Sequence, residues 1–276
     1  MAECEPNAHR FMDLTVPEYA YMFGFLQADG HLYRGTGQKG RLTVELKARD
    51  IDLLYRFKHL TPYNSSVTER TRSTNYADNY HSATWTLSSL EARTKLNELG
   101  LPYGRKSKTI APPRSSFAER DYLRGLIDAD GSVGYTGQGW PLLSLTTSSA
   151  AIGTYLCSYA RETTGTERTI KRNARDGVFN ISYEKEVAQT LTALLYYPGC
   201  MSLGRKQVKA DAIASWRRPL DMRAAHSRRS WTAREDLTLL EAPDITAVAD
   251  ELGRTERSCR LRLWRLRNGR LLTPGQ

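Results

Sequence analysis

Asp29 and Asp130 are the residues best placed to do chemistry, because each closes an apolar run and is followed at once by glycine. Tyr122 to Gly131 reads Tyr-Leu-Arg-Gly-Leu-Ile-Asp-Ala-Asp-Gly, and Tyr21 to Gly30, 101 residues earlier, reads Tyr-Met-Phe-Gly-Phe-Leu-Gln-Ala-Asp-Gly. Two more landmarks recur at an offset of 100: Thr36-Gly37-Gln38 as Thr136-Gly137-Gln138, and Gly104-Arg105-Lys106 as Gly204-Arg205-Lys206. Three matches in one order at nearly one offset indicate a duplicated domain. Two carboxylates brought to one place repel each other, and the carbonyl ends of helices add to the repulsion. A hard divalent cation, above all Mg²⁺, relieves it, and typically keeps water and phosphate oxygens as its other ligands.

The elements that must bring the two acids together are the helices they terminate. Gly24 and Ala28 are four apart, as are Gly125 and Ala129, so each helix carries a small-residue stripe that admits a close neighbour. Packing the two stripes about a pseudo-twofold axis sets the C-terminal ends, and with them Asp29 and Asp130, side by side.

On these motifs the chain resembles a two-motif LAGLIDADG homing endonuclease, over roughly residues 15 to 217. The resemblance implies an α+β fold, a pseudo-twofold pair of αββαββα domains with saddle-shaped antiparallel sheets. It implies metal-dependent cleavage of both strands of a long double-stranded DNA target, with short 3′ overhangs, by a monomer using Mg²⁺, for which Mn²⁺ would substitute. The last aspartate of each motif is then a metal ligand, here Asp29 and Asp130, with Gln27, Ala28 and Ala129 grouped around the same metal. Gln27 stands where the second motif has Asp128, a position that is not the acidic ligand in the family. The family's basic residue after the last helix of each half falls on Lys106 and Lys206. Their implied role is to neutralise charge developing on the phosphorane or to order the attacking water.

Taken in order, residues 1–14 read as a polar tail and 15–100 as the first half. Hairpins are predicted over 31–34 with 41–47 and over 66–71 with 80–87, and helices over 50–60, capped by Asp50, and 90–99. Residues 101–116, rich in proline and cations, bridge to the second half, 117–217. There strands are predicted at 132–135, 142–147, 166–172 and 178–183, with helices at 150–163 and 186–196. The polar sheet faces would meet DNA through Arg34, Arg41, Glu45, Lys47, Arg70 and Arg72 in the first half and Thr146, Lys171 and Asn180 in the second.

After Trp216 lysine disappears; 218–229 is a basic linker, and 230–270 carries three short helices in a helix-turn-helix pattern that resembles Myb-like domains. From Arg254 to Arg270 there are seven arginines against one acid, Glu256. Arg254, Arg257, Arg260, Arg262 and Arg265 are expected to meet DNA; the alternative is a solvated basic helix packed by Leu261, Trp264 and Leu266.

Composition agrees. The 276 residues carry 40 basic and 30 acidic groups, a net charge of +10, which suits a polyanionic partner. Cys4, Cys157, Cys200 and Cys259 lie far apart, so neither a disulfide framework nor a zinc site is indicated. With no long apolar span and no signal-like start, a soluble cytoplasmic protein is expected. Two other classes share the scaffold: a transcription regulator that binds DNA without cutting, and an intron maturase that binds RNA. Retention of both acids and both lysines favours the enzyme.

Overall fold

Pro17 fixes a helical φ where no N–H partner is needed, and helix α1 runs Pro17–Asp29. The computed structural model describes residues 10–36, 39–74, 77–219, 222 and 231–268. Apolar side chains point every way around α1, so it must be covered on all sides; Tyr19 to Gln27 are all buried. The same holds for Asp121 to Asp128 of the second motif helix (Glu119–Asp130, named α4 in chain order). The two pack together, and the glycines permit it. A Cβ on Gly24 would overlap the carbonyl oxygen of Tyr122, and one on Gly125 that of Tyr21. The seam is reciprocal: the Tyr21 hydroxyl donates to Asp128 Oδ2 at 2.7 Å, and the Tyr122 hydroxyl to Gln27 Oε1 at 2.5 Å.

The first half continues with β1 (His31–Tyr33), β2 (Arg41–Lys47), α2 (Ile51–Leu60), β3 (Ser65–Thr74), β4 (Ala77–Leu87) and α3 (Leu90–Glu98). Its antiparallel sheet has the order β1-β2-β4-β3. Register places Val44, Trp85 and Val67 in one row toward the core, and Glu45, Thr84 and Thr68 in the next, facing out. The β3–β4 hairpin is longer than expected, and β3 is exposed on both faces from Thr68 to Ser73, so its far end stands clear of the core. Asp50 does not cap α2 with its side chain; it accepts instead from Arg205 Nε at 3.1 Å, an ion pair between the halves. Ahead of α1, Phe11, Met12 and Leu14 are buried in the core.

The second half departs from the expected plan. After α4 come β5 (Gly131–Tyr135), β6 (Pro141–Thr147), α5 (Ala150–Thr164), β7 (Phe179–Glu184), α6 (Lys185–Leu195) and α7 (Gly204–Ala214), with a three-stranded antiparallel sheet, β5-β6-β7. The strand expected over 166–172 does not form; a single bridge joins Arg172 to Phe179. That stretch offers one large apolar residue, Ile170, and its Arg168 and Arg172 lie over the rings of Tyr183 and Phe179 at 5.5 and 4.6 Å. A ladder there would have little to bury. Helix α7 was not expected, since it buries little more than Lys206, Ala210 and Ile213.

Residues from Arg218 on form a separate compact unit, with α8 (Ala233–Glu241), α9 (Ile245–Glu251) and α10 (Glu256–Arg267). A capping box starts α8: Glu235 N donates to Thr232 Oγ1 at 3.2 Å and Thr232 N to Glu235 Oε2 at 2.8 Å. Asp244 caps α9, and Gly253 turns the chain at φ +58. Leu239, Val248, Ala249, Cys259 and Leu263 make its core. Gly37, Gln38, residues 223–230 and Arg270 lie outside the described residues.

Candidate active site

Because α1 and α4 end at the same level of their seam, Asp29 and Asp130 meet in one electrostatic neighbourhood. Both carboxylates reach solvent. Beneath them Lys106 and Lys206 are 7% and 3% exposed. Ala28 from one half and Asp130 from the other line the same cavity, of about 210 Å³, with Ser107, Ile110, Thr146 and Thr147. The surrounding protein displaces water from the acids: Asp29 rises from 3.8 to about 6, through desolvation first and then the charge of Asp130, while both lysines pull it back. Desolvation raises Asp130 as well, again against both lysines. Burial in turn lowers Lys106, and lowers Lys206 to about 8.

The lysines are helix caps. Lys206 Nζ donates to the carbonyls of Ile127, Asp128 and Gly131 at 2.5, 2.8 and 2.9 Å, which uses all three of its N–H bonds. Lys106 Nζ donates to the carbonyls of Gln27, at 2.6 Å, and Ala28. Each therefore closes orphan carbonyls of a motif helix and sets a positive charge against its negative end. Lys206 acts on the site through charge, with no N–H left for a phosphate, whereas Lys106 keeps one.

Position 27/128 wires each motif to its own loop. Asp128 accepts from the Tyr196 hydroxyl at 2.6 Å and from Leu203 N at 2.7 Å. Gln27 donates Nε2 to the carbonyls of Gly100 and Ala111 at 2.9 and 3.1 Å. The loop of the first half presents acceptors and that of the second presents donors, so an amide suits one and a carboxylate the other. Gln27 is fully buried in this network, its amide engaged by Gly100, Ala111 and Tyr122. Arg124, which the sequence did not single out, anchors the loop that leads to Lys206: its guanidinium donates to the carbonyls of Met201 and Leu195 at 2.8 and 2.7 Å and pairs with buried Asp121 at 2.5 Å. A lone arginine inside the apolar run was the available signal.

Two carboxylates that end paired helices and reach solvent fit a hard cation that takes most of its shell from water and phosphate oxygens. Asp29 and Asp130 could hold it. Ala28 and Ala129 could add only backbone oxygens, and that of Ala28 already accepts from Lys106.

The expected DNA-facing residues sort unevenly. Arg70, Arg72, Glu45 and Lys47 are exposed on the first sheet, but Arg72 pairs with Glu45 at 2.9 Å and lies over the Tyr80 ring. Arg34 and Arg41 lie over the rings of Tyr103 and Tyr33. In the second sheet the Thr146 hydroxyl donates to Asn180 Oδ1 at 2.9 Å, and Lys171 is exposed outside any strand. In the C-terminal unit Arg254 pairs with Glu235 at 3.0 Å and Arg262 with Asp236 at 2.6 Å, each close over the Trp231 ring. Those two arginines build the unit's own fold, unlike Arg257, Arg260 and Arg265, which stay exposed.

No family model and no curated protein matches the chain. Among solved structures, that of mesophilic variants of the homing endonuclease I-DmoI is similar at 12% identity and a TM-score of 0.51, covering 72% of this chain and 100% of that one. The I-LtrWI LAGLIDADG homing endonuclease bound to target DNA is matched at 10% identity and a TM-score of 0.44, over 72% and 88% of the two chains. Full-length DUF199/WhiA from Thermatoga maritima is matched at 13% and 0.44, over 93% of each. The first likeness, read with the α+β layout and the antiparallel sheets, shows that the chain has the LAGLIDADG fold.

Proposed function

We propose that the first unit is a metal-dependent, site-specific endonuclease that cuts both strands of a long DNA target and leaves short 3′ overhangs. One observation carries this reading: Asp29 and Asp130, contributed by opposite halves, lie near enough for the charge of Asp130 to raise Asp29, with the buried Lys106 and Lys206 acting on both. A bound divalent cation would polarise a phosphate oxygen and lower the pKa of water, and the two aspartates would hold it. Lys106 and Lys206 keep the helix ends neutral enough for both acids to be charged together, and the free N–H of Lys106 is available to a phosphate oxygen. The Tyr21–Asp128 and Tyr122–Gln27 bonds lock the halves so that the acids stay in register. The exposed sheet faces of both halves would follow the duplex.

The second unit would bind DNA beside the target and raise the effective concentration of the first. The test is to incubate the full chain and a library of long duplexes with Mg²⁺ and sequence the ends. Cleavage that is lost in Asp29→Asn and in Asp130→Asn, with binding retained, supports the nuclease. Tight, specific binding with no cutting in Mg²⁺ or Mn²⁺ would make the chain a DNA-binding regulator instead.

A further inference from the structure

Helix α10 turns outward two large apolar residues that the sequence suggests it should bury. Its inward face is Cys259, Leu263 and Leu266. Leu261 and Trp264 are 50% and 53% exposed. They fall in one line with Arg257, at i, i+4 and i+7, and the exposed Arg260, Arg265 and Arg267 flank that line on either side. The helix has one acid, Glu256, which is engaged by Arg260 at 2.9 Å and by the Thr246 hydroxyl at 3.0 Å. The face is therefore apolar along its middle and cationic along its rims.

An occupant that matches must be apolar at its floor and anionic at its walls. A duplex major groove is such a surface, with thymine methyl groups on the floor and phosphates along both edges. We infer that α10 reads a short thymine-containing sequence, Leu261 and Trp264 lying against thymine methyls, Arg257 on a base edge, and the flanking arginines on phosphates. Specificity then comes from the two apolar side chains and Arg257, and the flanking arginines supply affinity. The inference rests on the reading of this unit as a DNA module and is independent of whether the first unit cuts.

The experiment is a binding selection from random duplexes with the full chain in EDTA, comparing wild type with Leu261→Ala/Trp264→Ala. Both residues are half exposed, so the double variant should fold, which circular dichroism checks. A thymine-containing motif is expected in the wild-type pool and absent from the variant's. Uracil in place of thymine should weaken wild type about fourfold per lost methyl and leave the variant unchanged. Equal motifs and equal uracil responses in the two proteins would overturn the inference while leaving the unit a DNA binder. If Arg257→Ala/Arg265→Ala/Arg267→Ala also changes neither affinity nor its salt dependence, the DNA reading of the unit falls with it. Self-association abolished by the double variant would assign the face to a second copy and likewise overturn the inference.

Discussion

Replacing Asp29 by asparagine removes charge without changing shape, and it should stabilise the metal-free protein. Asp29 titrates near 3.8 when free and at about 6 in the fold. The folded state binds its proton more tightly, so the associated stability is complete below pH 3.8 and is lost as pH rises through 6. At pH 7.5 the native protein therefore carries a charge that it disfavours. At 1.36 kcal/mol per pH unit the full difference is ~3 kcal/mol; because the carboxylate is exposed, ~1 kcal/mol should be expressed. For a unit of this size that raises Tm by about 2–4 °C. Mg²⁺ at 100 times its Kd should stabilise wild type by ~2.7 kcal/mol and Asp29→Asn far less. Differential scanning calorimetry at pH 7.5, with EDTA and with Mg²⁺, reads all four values. An Asp29→Asn protein that melts earlier in EDTA, or that gains as much from Mg²⁺ as wild type, would refute the idea that two crowded acids await a cation.

Other consequences follow from the same contacts. Gly125→Ala places a methyl on the Tyr21 carbonyl oxygen and should cost about 1–3 kcal/mol by urea unfolding; a neutral result would mean that the seam is looser than described. Gln27→Glu, which moves the first motif toward the acid of the second, should destabilise by about 1–3 kcal/mol, because it sets an acceptor against the carbonyls of Gly100 and Ala111. A stabilised variant would show that the loop carbonyls do not need the amide. Arg254→Ala removes the cation paired with a nearly buried Glu235 and should cost about 3–5 kcal/mol, enough to unfold a small three-helix unit, while Arg257→Ala should leave its amide spectrum in place. Equal spectra for the two variants would contradict the division of arginines into structural and exposed ones.

The duplication, the motif helices and their contact were legible because glycine at a fixed spacing leaves few alternatives: only a close backbone explains Gly24 and Gly125 together. The acids and the lysines followed from the repeat. The use of the lysines did not, since nothing in a string of residues says that a lysine 76 or 77 positions downstream caps the helix it follows. Helix α10 misled for a different reason. Its apolar residues fall at 259, 261, 263, 264 and 266, which surround the axis, so periodicity does not choose the inner face. The choice is made by Glu235 and Asp236 on α8, which take Arg254 and Arg262 and so fix the roll of the helix. The missing strand at 166–172 and the unforeseen α7 share a cause: each stretch has too few apolar residues to declare its period. Among the described residues no helix is long and apolar enough to cross a membrane.

If one cation is held jointly by carboxylates from both halves, titration of Mn²⁺ by electron paramagnetic resonance reads it most directly. Wild type should bind the ion, and Asp29→Asn and Asp130→Asn should each weaken it at least about tenfold, the loss of one of two shared ligands. Two single variants that both retain wild-type Mn²⁺ affinity would contradict a site shared across the seam.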